Sequence, residues 1–364
     1  MRRLAALLLA ALVAPAASRA QGAPAPTKVE VAEGVYVFRT EPHSDVGLDG
    51  NSVAVVTEEG VLIFDSNGTP AAARAVLAEL RRITPAPVKY IVHSHWHWDH
   101  WYGAEVYREA FPQAQVISHE RTRALMGGPA IAFNQPGLDR DLPAHIAQVE
   151  QALATARSSG RAADLPRLER HLAEDRDFLA QKRGVHHTLA TITFSDSLTI
   201  HLGPRTIQVR HHDRAITPGD AYLYLPAEQV LVTGDLLVNP LTFALFCYPS
   251  GWLRTLRHLE TLPVHAIVPG HGAPLEDRAL LRTTIDLLQR ELDLAREARG
   301  RGLDVDAATK AVLADAEVTR LRAVLTRGNA ALEQQFPTYM VAWFVSRAYQ
   351  ELDGTLDDGI PRVP

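Results

Sequence analysis

A layered domain of helices laid on β-sheet, with a helical insertion and a helical tail, is predicted by three observations. Strand-type and helix-type runs alternate through the first third of the chain. A polar helical block fills residues 139–183, and beyond Pro274 the pattern is almost wholly helical. Alternation of this kind stacks helices on the faces of sheets.

The chain opens on Arg2 and Arg3, an apolar run from Leu4 to Val13, and the small residues Ser18 and Ala20. Residues 1–20 are expected to be a cleavable signal peptide, because the apolar run is too short to cross a bilayer. Residues 21–27 then form a flexible leader, and the product is expected to be periplasmic or secreted. Removing Arg2, Arg3 and Arg19 takes the formal charge from −5 to about −8, with 34 basic against 42 acidic side chains. No block of like charge points to nucleic acid, and no second apolar run reaches membrane-span length. A single cysteine, Cys247, excludes an intramolecular disulfide framework.

Strand signals follow at VYVF (35–38), SVAVVT (52–57) and VLIFD (61–65), the last two joined by a Gly-containing turn. AAARAVLAELRRI is helical, with Val76, Leu77, Leu80 and Ile83 on one stripe. VKYIVHS (88–94) is a buried strand, GAEVYREAF (103–111) a helix, and QVISH (115–119) a strand. The 139–183 block carries two apolar stripes separated by SSG and reads as a helical hairpin. Strands resume at ATITF, LTIHL, TIQVRHH, AYLYLP, QVLVTGD and HAIVPGHG, and a last helix is expected over 338–350. The main domain is placed at 28–290, and a C-terminal helical extension at 291–364.

One strand end carries the chemistry. HSHWHWDH (93–100) holds four of the 16 histidines in the chain beside an aspartate. Alternate residues of an extended segment point the same way, so His95 and His97 can face one ion while Asp99 and His100 turn toward a second. Imidazole and carboxylate suit Zn²⁺, one or two ions, with iron or manganese as alternatives. Asp235 ends the strand of VLVTGD, and His271 stands between glycines in VPGHG; both are loop-borne polar residues at strand ends.

HSHWHWDH, with TGD and PGHG following in order, resembles the H-x-H-x-D-H signature of the metallo-β-lactamase fold superfamily over roughly residues 28–290. The resemblance implies an α+β fold, a four-layer αββα sandwich with a metal site at one edge of two packed sheets. It further implies His95 and His97 at the first metal position, Asp99, His100 and His271 at the second, and Asp235 bridging. Asp65 matches a strand-end aspartate that supports the metal loops. His93 is expected to support a ligand or loop by hydrogen bonding.

One departure stands out. Where the family presents a third histidine in a stretch such as GRAHTPGD, this chain reads DRAITPGD (213–220), and Ile216 occupies the ligand slot. Three outcomes are open. Water completes a dinuclear site, only the second position is filled, or His211 or His212 substitutes.

A metal-dependent hydrolase acting through activated water on an ester, lactone or thioester is the leading expectation, with Asp99 orienting the water or moving its proton. A β-lactamase is one alternative. An iron-dependent redox or sulfur-handling protein, or a non-catalytic metal-binding module, is another. The expected partner is a small molecule, the oligomeric state being open. Trp96, Trp98, Trp101 and Tyr102 either line an aromatic pocket or wedge the metal loop against the sheets. The 139–183 hairpin and FALFCYPSGW (243–252) are candidate walls, with Cys247 a small buried apolar residue.

Overall fold

Successive side chains of a strand point to opposite faces, and here that alternation sorts the core into layers. The computed structural model describes residues 24–40, 48–357 and 359–360, so the expected signal peptide lies outside the described residues. Strands β1 (Thr27–Ala32), β2 (Val35–Arg39), β3 (Ser52–Thr57), β4 (Gly60–Phe64), β5 (Val88–Val92), β6 (Gln115–His119) and β7 (Ile192–Phe194) form one sheet in chain order. A second sheet runs β12 (Ala266–Val268), β11 (Val230–Val232), β10 (Tyr222–Leu225), β9 (Arg205–Arg210), β8 (Ser197–Leu202).

Val53, Val55, Leu62 and Phe64 face the second sheet and meet Ile207, Val209, Leu223 and Leu225. The intervening Ala54, Val61 and Ile63 face outward, onto Val76, Leu77 and Leu80 of helix α1 (Pro70–Ile83) and Tyr107 of α2 (Ala104–Ala110). Tyr222, Tyr224 and Leu231 do the same on the far side, against Trp252 and Leu256 of α7 (Pro249–Thr261) and Leu288 of α8 (Ala279–Gly300). The result is the αββα sandwich.

The insertion begins earlier than its polar composition signals. After α3 (Glu120–Met126) come α4 (Pro129–Pro136), a π turn over Gly137–Asp141, and α5 (Leu142–Ser158), which pairs with α6 (Leu165–Gly184). The tail comprises α9 (Val305–Leu313), α10 (Ala316–Thr326), α11 (Ala330–Phe336) and α12 (Trp343–Leu352). The expected boundary at 290/291 falls inside α8, and Phe336, Phe344 and Val345 share one apolar cluster with Tyr222 and Leu231. The tail therefore completes the outer layer of the sandwich. Among the described residues, no helix is long and apolar enough to cross a membrane.

Candidate metal centre

Strands β4 and β5 run parallel, as do β11 and β12, so the C-terminal ends of each pair emerge at a common edge. Those four ends deliver Asp65, the 93–100 segment, Asp235 and His271. After β5 the chain turns through a 3₁₀ turn at Trp98–His100, and Asp235 lies in a second such turn at Gly234–Leu236. Trp252 Nε1 of α7 donates to the Leu236 carbonyl at 2.9 Å, which ties that turn to the helical layer.

The polar groups converge closely. Asp235 Oδ1 lies 3.2 Å from His100 Nε2 and 3.4 Å from His271 Nε2, while Asp235 Oδ2 lies 3.5 Å from His95 Nε2 and 3.9 Å from His97 Nδ1. Asp99 Oδ2 lies 3.3 Å from His100 Nε2 and 3.0 Å from His271 Nε2. Two glycines permit this approach. A Cβ at Gly270 would come within 2.1 Å of Asp235 Oδ1, and one at Gly50 within 2.6 Å of His100 Cε1.

A support layer holds the rings. Asp65 adopts φ 58°, a left-handed conformation that aspartate tolerates better than most residues. From there its carboxylate accepts from Ser94 N at 2.7 Å and Ser94 Oγ at 2.7 Å, and lies 2.8 Å from His100 Nδ1. Ser94 Oγ also meets His95 Nδ1 at 2.8 Å. With their Nδ1 atoms engaged, His95 and His100 present Nε2 to the centre. Asn51 Nδ2 donates to the carbonyls of Pro269 and Gly272, which fixes the His271 loop to the first sheet.

Burial alone would raise the Asp99 and Asp235 carboxyls, but the His100 and His271 rings outweigh it and hold both well below the usual carboxylate range. Burial lowers His95 to about 4, helped by the His100 and His97 rings, so its nitrogen is a free lone-pair donor at neutral pH. His95 Nε2, His97 Nε2 and Asp235 Oδ1 are buried without a hydrogen-bond partner. The ligand atoms of His95, His100 and Asp235 all lie within 4.8 Å of one another, as do those of Asp99, His100 and His271. Unpaired donors of ligand type at this spacing fit a divalent cation.

Several expectations are sharpened or corrected. His211 is engaged elsewhere: its Nδ1 meets the Asp220 carbonyl at 2.8 Å and its ring lies 4.3 Å from that of His119. His212 stacks on His258 at 4.2 Å. Neither joins the centre, so the substitute-ligand outcome is set aside. Ile216 is fully buried in the apolar cluster with Tyr222, Leu236 and Trp252. His93 is fully buried and its Nε2 meets the Thr188 carbonyl at 3.2 Å, supporting a loop rather than a ligand.

The aromatic set divides. Trp96 and Trp98 line a cavity of about 400 Å³ that opens onto His97, Asp99, Asp235 and His271. Trp101 and Tyr102 do not line it; both are buried, and Trp101 Nε1 donates to the Trp96 carbonyl at 2.9 Å, wedging the loop. Other walls come from Phe133 of α4, from Phe243, Leu245 and Phe246, and from Leu332, Gln335 and Tyr339 of the tail. Sequence reasoning missed Phe133 and the tail residues, which carry no local pattern. It also missed Lys182, buried with Nζ 3.0 Å from the Trp98 ring centroid. Cys247 is buried in the apolar cluster and its thiol is pushed up by burial.

Residues 45–271 match the metallo-beta-lactamase superfamily. A linear primary-alkylsulfatase from Pseudomonas sp. (strain ATCC 19151) is 27% identical over 261 residues, which cover 68% of this chain and 47% of that protein. The chain thus spans about half the length of that relative. Among solved structures, the metallo-beta-lactamase from Pontibacter korlensis is similar with a TM-score of 0.51 and 19% identity, over 72% of this chain and 99% of its own. The DIM-1 metallo-beta-lactamase is similar at 0.50 and 15% identity, over 73% of this chain and 98% of its own.

Proposed function

The chain belongs to the metallo-β-lactamase superfamily of hydrolases, and from that premise we propose that it is an exported, metal-dependent hydrolase of esters with an apolar tail. The observation that carries this reading is the cavity. Among the described residues it is lined largely by Trp, Phe, Leu and Val, with no lysine or arginine, and it reaches four of the clustered polar residues. Such a wall holds a hydrocarbon tail and offers no cation to a carboxylate-bearing substrate. The carbonyl esters, lactones and thioesters are the leading class. A sulfate ester is the second reading, favoured by the 27% identity to a linear primary-alkylsulfatase.

His95, His97 and Asp235 would hold one zinc ion, and Asp99, His100, His271 and the shared Asp235 a second. Bound divalent ions acidify water toward neutrality and polarise an ester oxygen. Asp99, which lines the cavity 3.0 Å from His271, would orient the attacking water and take its proton. Asp235 holds the two halves of the centre in register. The apolar walls exclude bulk water from the remainder of the substrate.

Chain-length dependence tests this reading. With acyl esters of increasing length, kcat/KM should rise about fourfold per methylene until the cavity is full, as expected for burying one CH₂. A flat response, or a cephalosporin outperforming every ester, sinks it; a long-chain alkyl sulfate outperforming the acyl esters selects the second reading. The zinc lost in a His95→Ala/Asp235→Asn/His271→Ala triple variant counts the ions at this centre, and two are expected. The export reading predicts a mature N-terminus near Gln21, which N-terminal sequencing of the protein from its native host checks.

A further inference from the structure

A second constellation of ligand-type side chains lies in the α5–α6 hairpin, outside the centre described above. His171 and Asp175 are four residues apart on α6 and therefore share one face. His145 approaches from α5. Its Nε2 lies 3.3 Å from Asp175 Oδ2, and His171 Nε2 lies 3.4 Å from the same oxygen. All three ligand atoms fall within 4.8 Å of one another.

Three features distinguish this group from an ordinary ion pair. Asp175 is fully buried, and neither of its carboxylate oxygens accepts a hydrogen bond. A carboxylate so placed costs several kcal/mol unless something compensates it. The separations of 3.3 and 3.4 Å exceed the roughly 2.7–2.9 Å of a charge-assisted hydrogen bond. They match the spacing of about 3.3 Å between tetrahedral ligands each about 2.0 Å from a common zinc ion. Finally, the site has an entrance: His145 is about one-third exposed and lines a cavity of about 350 Å³ that also includes Trp98 and Lys182.

We propose that His145, His171 and Asp175 form a separate zinc site, with water completing the tetrahedron, that clamps α5 to α6. The apolar contacts of the hairpin form a small cluster of their own, chiefly Leu142, Ile146, Val149, Leu153, Leu168, Leu172 and Phe178. A crosslink through metal adds what that modest core lacks. Phe178 and Lys182, on the same helix, contact the Trp98 ring, so the clamp also steadies one flank of the substrate cavity.

The test uses untagged full-length protein stripped of metal and the triple variant that lacks the sheet-edge centre, which makes the outcome independent of the hydrolase reading. That variant should still bind one equivalent of Zn²⁺ in calorimetry, show a tetrahedral visible spectrum with Co²⁺, and melt at a higher temperature with Zn²⁺ than without. Adding Asp175→Asn should weaken this binding by about tenfold or more, since even outer-shell changes cost that much. Adding His145→Ala, at the partly exposed position where folding is least at risk, should do the same. Absence of Zn²⁺ binding in the triple variant overturns the proposal, as does binding undiminished by His145→Ala.

Discussion

Asp235 at the sheet edge and Glu291 in the helical cover are both removed from water, yet their surroundings treat the charge in opposite ways. Around Asp235, His100 and His271 overcome the effect of burial and hold the carboxyl well below its usual range. Around Glu291, which is fully buried with neither oxygen hydrogen-bonded, burial acts alone and pushes the carboxyl well above its ordinary value of 4.5. Equal burial therefore says little about charge; the partners decide it. At the sheet edge the His100 and His271 rings favour the ionised form of Asp99 and Asp235, whereas burial in the helical cover favours the protonated form of Glu291.

The largest effect should come from breaking the charged side of this contrast. Asp235→Asn should lose bound metal and lower turnover by about 10⁴-fold or more with the fold retained; near-normal turnover of the folded variant would remove the centre from catalysis. Asp99→Ala should cost about 10²–10⁴-fold in kcat, the range for losing a general acid–base group. If kcat is preserved and only metal occupancy falls, Asp99 is a ligand and nothing more.

Ile216→His carries sheet-edge chemistry into the apolar layer. Because Ile216 is fully buried among Tyr222, Leu236 and Trp252, the imidazole should destabilise the fold by about 1–3 kcal/mol and add no tightly held zinc. An added equivalent with raised activity would show a lapsed ligand slot within reach of the centre.

Glu291→Leu should have the smallest effect, about 1 kcal/mol of stabilisation at neutral pH with activity unchanged. The sign follows from linkage. A folded-state pKa above the unfolded value means that the folded protein binds the extra proton, so stability declines as pH rises above 4.5 toward the folded value. The native protein should lose up to about 1.4 kcal/mol per pH unit there, and the variant should lose that slope. Urea unfolding across pH measures both; identical slopes would mean that Glu291 has a partner after all.

The layered fold was legible because its strands alternate or run apolar and its helices carry stripes, and each such pattern is local. Much of the candidate centre was legible for a related reason. His95, His97, Asp99, His100, Asp235 and His271 are residue types rarely placed together at strand ends without a shared partner; the structure groups His95 with His100 and Asp235, and Asp99 with His100 and His271, while His97 Nδ1 stands 3.9 Å from Asp235. The strand-end position of Asp65 was visible too, while its bonds to Ser94 and His100 arise only in the folded chain. The cavity walls were not legible. Phe133, Leu332 and Tyr339 look like any core residue, and only the return of α4, α11 and the π turn at Pro337–Ala342 to the sheet edge brings them to the cavity that Asp235 also lines.

The same division explains the two ligand-type clusters. HSHWHWDH advertises itself by density. His145, His171 and Asp175 are dispersed over 31 positions of amphipathic helix and become a group only when α5 folds against α6. The sequence by itself determined most of the strands, the helices α1 and α2, the 139–183 hairpin and the helical tail, which residue types could bind a cation, and that position 216 holds no donor. The tertiary structure alone decided that His211 and His212 point into other contacts, that Trp101 and Tyr102 wedge while Trp96 and Trp98 line, and that tail residues line the cavity. The physical reason is that backbone preference and side-chain chemistry act within a few residues. Burial, partner choice and cavity shape depend on which surfaces meet, and no single segment specifies its neighbour across the sandwich.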